Sequence, residues 1–417
     1  MTAQRTVRRL VWILAVLVVA LLAIEGLGRI VLSGSFFSKQ LMKSEKVRAA
    51  HIQSAGASLL GGSLDASHAE ITLADSTRLY ARSIALRGSW LSALFGRPDV
   101  EYAVLMDATM ERGRYVAHLD EARLGGDGGE ILQWTFGPRV PIDSLLAPGR
   151  ATSYEARWDT LRLEGWDRSA LRGGKIHIER ATFSGPAVRV YSDRRLAGPP
   201  RPATLPQEQL RALPFDVRVD EVRLRGGTIV YEEVPRDGQR PGMVEFGRLR
   251  ADLGPLDNRR PDTLRVGSRT MINGALPLAV ELIWPLQGAG LDLRAHAWTS
   301  AFSVDALNPM FEPNAGIRIR SGQVDTLETR FEVVDGRAAG TLDAVYRDLE
   351  VESLNKNDPS DRHVIKSWVL DWKIHENRSR EDQKEPGRIE HRRSETESIF
   401  TFLWFTVRSG LFSLVSS

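Results

Sequence analysis

The chain contains no cysteine. That excludes thiol catalysis, disulfides, a cysteine-linked lipid anchor and cysteine-based zinc sites. Exported proteins can lack disulfides, so the absence does not argue against export. Histidine is sparse, with 8 in 417 residues, and none stands in a metal-ligand spacing such as H-E-x-x-H. No G-x-S-x-G elbow is present. The glycine-rich run 125–129 (GGDGG) lacks the Lys-Ser/Thr of a phosphate loop and reads as a loop tip. Arg225-Gly226-Gly227 is a single copy between strand patterns and reads as a turn. The adjacent carboxylates Glu232 and Glu233, and Glu350 with Glu352, need no catalytic explanation. No catalytic, cofactor-binding or metal-binding residues are therefore assigned, and no enzyme activity is expected. A dominant charge is also missing: 56 basic residues face 53 acidic ones, interleaved along the chain. No basic stripe points to a nucleic-acid partner. Asn377-Arg378-Ser379 fits a glycosylation sequon, a short and unspecific match.

What is present begins at the N-terminus. Arg5, Arg8 and Arg9 precede an apolar run over residues 10–24, and the pattern continues to 32 through Glu25 and Arg29. A permanent span needs about 20 residues at ~1.5 Å each across a ~30 Å core. Residues 10–32 meet that need, and Glu25 and Arg29 are spaced to pair on one face. A cleaved signal peptide, with Gly26-Leu27-Gly28 as the site, competes with the anchor. A buried core helix is disfavoured by the clustered arginine before it. The positive-inside bias leaves residues 1–9 cytoplasmic and sends the rest across the membrane.

Residues 33–48 are expected to prolong the helix or lie at the interface. From about 49 to 376 the pattern becomes strand-like: short alternating segments separated by Gly, Asp, Asn and Pro. Phe215, Val217 and Val219 share one face, and Val222 and Leu224 resume it after a phase break at Asp220-Glu221, which predicts a β-bulge. Gly226-Gly227 and Asp335-Gly336 are expected as tight turns. Residues 199–206 (PPRPATLP) and 355–362 (NKNDPSDR) read as breaks. Residues 377–397 carry almost no apolar side chain and read as an exposed charged linker. Residues 398–417 read as an amphipathic, aromatic helix. Its broad apolar arc holds Phe400, Leu403, Trp404, Val407, Leu411, Leu414 and Val415, with Phe402, Phe405 and Phe412 on the polar side. Phe400, Leu403, Trp404, Val407 and Leu411 are the candidate membrane contacts. Packing on the sheet and a re-entrant hairpin stay open as alternatives. The fold class is mainly β: a long curved antiparallel sheet, trough or open sandwich, with an N-terminal transmembrane helix and a C-terminal amphipathic helix.

Residues 219–231 (VDEVRLRGGTIVY) and 319–351 (IRSGQVDTLETRFEVVDGRAAGTLDAVYRDLEV), followed by the aromatic tail 399–414, resemble the AsmA-like proteins of bacterial envelopes. The likeness covers most of the chain in architecture and about 60 residues in detail; the middle region shares only strand character. It implies a single-pass inner-membrane protein whose periplasmic sheet curls into an apolar trough, similar to bridge-like lipid transfer proteins and tied to phospholipid supply and outer-membrane integrity. It carries over no catalytic residue. Some 15 strands at ~4.8 Å spacing would make a trough of roughly 70 Å. Candidate groove residues are Val217, Val219, Val222, Leu224, Phe331 and Tyr346, for each of which ordinary core is the competing role. The leading expectation is a groove that binds or transfers phospholipid, with membrane phospholipid, the inner membrane and envelope proteins as partners. The alternative is a closed β-sandwich that serves as an envelope scaffold or assembly factor.

Overall fold

A computed structural model describes residues 38–39, 41–58, 62–89, 99–145, 152–167, 175–199, 202–213, 215–260, 262–286, 288, 290–354, 377–379 and 385–416. The expected cytoplasmic tail 1–9, the span 10–32 and the break 355–362 lie outside the described residues. No helix among the described residues is long and apolar enough to cross a membrane.

The described strands belong to one mostly antiparallel sheet of 19. Cα packing divides the chain into two compact units. The first holds the residues up to Pro141, Glu155–Ser184 and Leu213–Asp216. Its strands are β1 (Val47–Ser58), β2 (Ser63–Leu73), β3 (Arg78–Ser89), β4 (Asp99–Arg112), β5 (Tyr115–Gly125), β6 (Gly128–Pro138), most of β7 (Thr152–Trp166) and β8 (Lys175–Ser184). Each pairs antiparallel with the next. The GGDGG run closes the β5–β6 hairpin, with Gly125 opposite Gly128 and Gly126 at positive φ. The helix expected over 33–48 does not run to Arg48. Ser38, Lys39 and Leu41 are helical, turns follow, and β1 begins at Val47, where alternation sets in.

One irregularity repeats across this unit. Gln53, His68, Arg82, Asp107, Asp120, Gln133 and Asp159 fall at one level of the register. Pairing keeps the same register on both sides, but apolar positions step by three there instead of two: Ala66 to Ala69, Ala81 to Ile84, Leu105 to Ala108, Ile131 to Trp134, Trp158 to Leu161. His68, Asp107 and Gln133, on alternate strands, take φ of 48°, 47° and 49°. Both halves of each strand thereby present their apolar side chains to the same face. Such a seam bends a sheet and raises its twist.

The second unit holds Ile142–Tyr154, Gly185–Ala212 and Val217–Ser417. Its elements are β9 (Ala187–Asp193), helix α1 (Pro206–Arg211), β10 (Asp216–Val234), β11 (Gly242–Gly254), β12 (Leu256–Asp257), β13 (Thr263–Ile272), β14 (Leu276–Pro285), β15 (Leu293–Thr299) and β16 (Phe302–Ser303). They continue with α2 (Asn308–Ala315), β17 (Ile317–Val334), β18 (Arg337–Ser353), β19 (Gly387–Arg392) and α3 (Ile399–Ser416). β9 and β10 pair in parallel. The Asp335-Gly336 turn joins β17 to β18 with φ of 48° and 71°, as its sequence requires.

Several expectations are corrected here. Gly226-Gly227 is not a hairpin turn. β10 runs through it, and the register shifts between Leu224 and Gly227. The expected bulge at Asp220-Glu221 is displaced to this point, because pairing is unshifted from Arg218–Asp257 to Leu224–Ala251. Opposite Asp220-Glu221 the partner chain breaks at Gly254-Pro255, whose missing N–H ends the ladder. Ser321-Gly322 is a second such bulge, inside β17. Positive φ serves a bulge as well as a turn, so glycine alone does not separate the two.

The stretch 377–397 is not a free linker. Residues 387–392 form β19 on β18. Arg378 bridges Tyr346 through both backbone groups, at 3.1 and 2.8 Å, and its side chain is buried. The Asn377 side chain of the apparent sequon accepts the Asp348 N–H at 2.9 Å.

Candidate functional site

The chemistry of both units is divided between two sheet faces. In the first unit an apolar row crosses eight strands: Ala55, Ala66, Ile84, Leu105, Ala122, Ile131, Leu161 and Phe183, each directly paired with the next. A second row runs beside it through Leu64, Leu86, Ala103 and Leu124 to Leu163 and Ala181. Ile131, Leu161 and Leu86 are buried, whereas Ile84, Leu105 and Phe183 are half-buried. An aromatic ladder occupies the same face. Tyr115 stacks on Phe136 at 5.1 Å, Trp134 on Trp158 at 3.9 Å, and Phe183 meets Trp158 edge-on at 5.2 Å. Leu41, ahead of β1, packs against the cluster of Ile52, Leu64, Ala69 and Leu86 on this face.

The opposite face is charged and internally paired. Arg87 meets Asp65 at 2.8 Å, Arg162 meets Glu130 at 3.3 Å, and Arg82 meets Asp107. His118 bridges Thr109 at 3.1 Å and Asp120 at 3.0 Å. Exposed pairs of this kind contribute ~0–1 kcal/mol each; they keep the face wet more than they hold the fold.

In the second unit the apolar face is covered. Leu264, Trp284, Leu293, Phe331, Val333, Leu342, Tyr346 and Ile389 form one cluster with Ile399, Phe402 and Leu414 of α3. Phe331 and Tyr346, expected in an open groove, are 7% and 6% exposed and belong to this closed core. Burial pushes the Tyr346 hydroxyl pKa above its ordinary value. Val222 is buried, and Val217, Val219 and Leu224 are half-buried on β10. Val219, Val222 and Leu224 pair with Leu256, Leu253 and Ala251; Leu253 and Leu256 pack against the same cluster.

Helix α3 lies on the sheet by a stripe that shares only Leu414 with the expected apolar arc. Ile399, Phe402, Thr406, Gly410 and Leu414 are its buried positions, and Phe402 is fully buried, not on a polar side. Leu403, Val407 and Leu411 pack at the margin of the core. Phe400 and Trp404 remain outside, 80% and 47% exposed. The reason is steric. Gly410 allows the helix to meet Ile389 and Leu342, where a Cβ would stand 2.7 and 2.9 Å from their side chains. Arg408 lies over the Phe405 ring at 4.3 Å, and burial lowers its pKa.

No group of His, Asp and Glu among the described residues has the arrangement of a metal site. The aromatic ladder and the polar seam were not read from the sequence, although W-T-F in β6 and A-R-W in β7 carry the ladder's spacing. No protein-family model matches the chain, and no curated protein matches it in sequence.

Proposed function

We propose that this chain is a membrane-anchored lipid-binding protein whose apolar sheet face shields phospholipid acyl chains, without catalytic chemistry. The carrying observation is the eight-strand apolar row from Ala55 to Phe183, with its aromatic ladder, on one face of the first unit's strands. An apolar sheet face is stable in water only against another layer or a ligand. An acyl chain contributes about 0.8 kcal/mol per buried methylene, so a row spanning eight strands offers substantial affinity. The run at 10–32 would hold that face beside its lipid source. The covered face of the second unit favours the scaffold reading for that part of the chain.

The test is mass spectrometry of lipid extracted from the full-length protein purified in detergent. Phospholipid should co-purify at a fixed ratio and be lost from an Ile84→Asp/Leu105→Asp variant that keeps its circular dichroism. Lipid-free wild-type protein, or equal lipid in the variant, overturns the proposal.

A further inference from the structure

On the charged face of the second unit most cations are neutralised by a neighbouring carboxylate. Arg294 meets Glu332 at 3.0 Å, Arg330 meets Glu328, His296 meets Glu328 at 2.7 Å, and Arg225 meets Asp252. A group of arginines on β11 and β13 departs from this. Arg250 and Arg269 stand directly opposite each other in the ladder, both exposed. Arg248, at a bulge with φ of 52°, precedes Arg250, and Arg265 lies four residues before Arg269 on β13. None of the four guanidinium groups has an ion-pair or hydrogen-bond partner among the described residues. Like charges directly opposite across a strand pair have Cβ atoms about 5 Å apart and destabilise the sheet. Asp252, the nearest carboxylate along β11, is already held by Arg225 and lies 3.9 Å from Arg223.

A concavity adjoins this group. A concavity of ≈ 630 Å³, open to solvent, is lined by Arg265, Gly267 and His296 and by the carboxylates Asp252, Glu281 and Glu332, among others. Gly267 forms the floor between Arg265 and Arg269, and a Cβ there would meet nothing within 4 Å. Arg250 and Arg269 are each two residues along their strands from the lining residues Asp252 and Gly267, about 7 Å at strand rise. Beyond Arg269 the row continues through the small Ala279 to Trp298, which stacks on His296 at 4.5 Å. Planar guanidinium forks bind tetrahedral oxyanions through paired N–H donors.

We propose that Arg250 and Arg269, with Arg265 across the Gly267 floor, form a binding site for a phosphate-bearing ligand on the charged face. The bound oxyanion replaces the missing carboxylate between the two opposed cations. The site does not depend on the apolar face, so it stands or falls separately from the lipid-shielding reading.

The experiment is calorimetry and thermal unfolding of the full-length protein in detergent, titrated with inorganic phosphate and with glycerol 3-phosphate. Both probes should bind and raise Tm, and Arg250→Gln/Arg269→Gln should weaken binding about tenfold or more, the loss of charge-assisted bonds. Tighter binding of glycerol 3-phosphate assigns the site to a lipid headgroup; equal binding assigns it to free phosphate. Arg337 and Arg392 are a second opposed pair, on β18 and β19, without the Gly267 floor. Arg337→Gln/Arg392→Gln should bind as wild type. Arg269→Glu should raise Tm without phosphate, since it faces Arg250 with an opposite charge, and abolish phosphate binding. Absence of binding by either probe, or an equal loss in the Arg337/Arg392 variant, overturns the proposal.

Discussion

Gly387 of β19 and Gly410 of α3 meet backbone to backbone: a Cβ on Gly387 would collide with the Gly410 carbonyl oxygen and stand 2.7 Å from the Leu414 nitrogen. This contact sets which stripe of α3 is buried. Gly387→Ala is expected to destabilise the second unit by about 1–3 kcal/mol, the cost of overpacking. Chemical denaturation checks it; an unchanged midpoint would show that the helix does not approach this closely. Truncation before residue 377 removes both partners and should expose the cluster around Leu342 and Ile389 to a hydrophobic dye.

Phe400 and Trp404 separate surface function from stability. Substituting both by Ser should leave stability within about 0.5 kcal/mol, because they are exposed. Phe402→Ala should cost about 3–5 kcal/mol, because its side chain is fully buried. If α3 also touches a bilayer, the Phe400/Trp404 variant weakens binding to liposomes. Unfolding curves that rank the variants the other way would refute the assigned stripe.

Asp193 supplies an acid-side stability term. It caps the turn at Arg194–Leu196, accepting the Arg195 backbone N–H at 3.0 Å and the Arg195 guanidinium at 2.9 and 2.7 Å. The side-chain hydrogen bond from Arg195 is the main cause that lowers its pKa below 3.8. A lowered carboxyl stabilises above its unfolded pKa, and the gain is lost as pH falls through the folded value. Arg195 is 45% exposed, so screening limits the gain to about 1 kcal/mol. The Tm difference between wild type and Asp193→Asn should therefore be constant above about pH 5 and vanish in stronger acid. A difference that grows on acidification would contradict the assignment.

The seam through Gln133 tests how the first unit bends. Gln133 holds φ of 49°, which costs a side-chain-bearing residue about 1 kcal/mol and a β-branched one more. Gln133→Gly should be near neutral, and Gln133→Val should destabilise by about 1–2 kcal/mol. Equal midpoints for the two variants would show that no left-handed residue is needed there.

Strand character, the Asp335-Gly336 turn, the GGDGG tip and the C-terminal helix were legible because each is local: alternation, positive-φ residues and helical periodicity declare themselves within a few positions. What failed is what depends on partners. Gly226 and Gly322 have turn chemistry, yet their strands continue because neighbouring strands keep the ladder going on both sides. β19 hid in a charged stretch because its inward positions are Gly387, Ile389 and His391, with Arg388, Glu390 and Arg392 outward. The alternation is present, but one aliphatic residue in six gives it little weight. Phe402 was misplaced because a wheel ranks hydrophobicity, whereas the close approach at Gly410 decided the stripe. The polar seam requires six strand registers at once, which no single segment encodes.

The central claim concerns one face of the first unit, and neighbouring residues test it most directly. Leu105 lies in the apolar row, and Val104 pairs with Ala85 and Arg123 on the charged face. A photoactivatable residue placed at 105 in the full-length, membrane-embedded protein should crosslink to phospholipid, and the same residue at 104 should not. Crosslinks at both positions, or at neither, would contradict a lipid-shielding face.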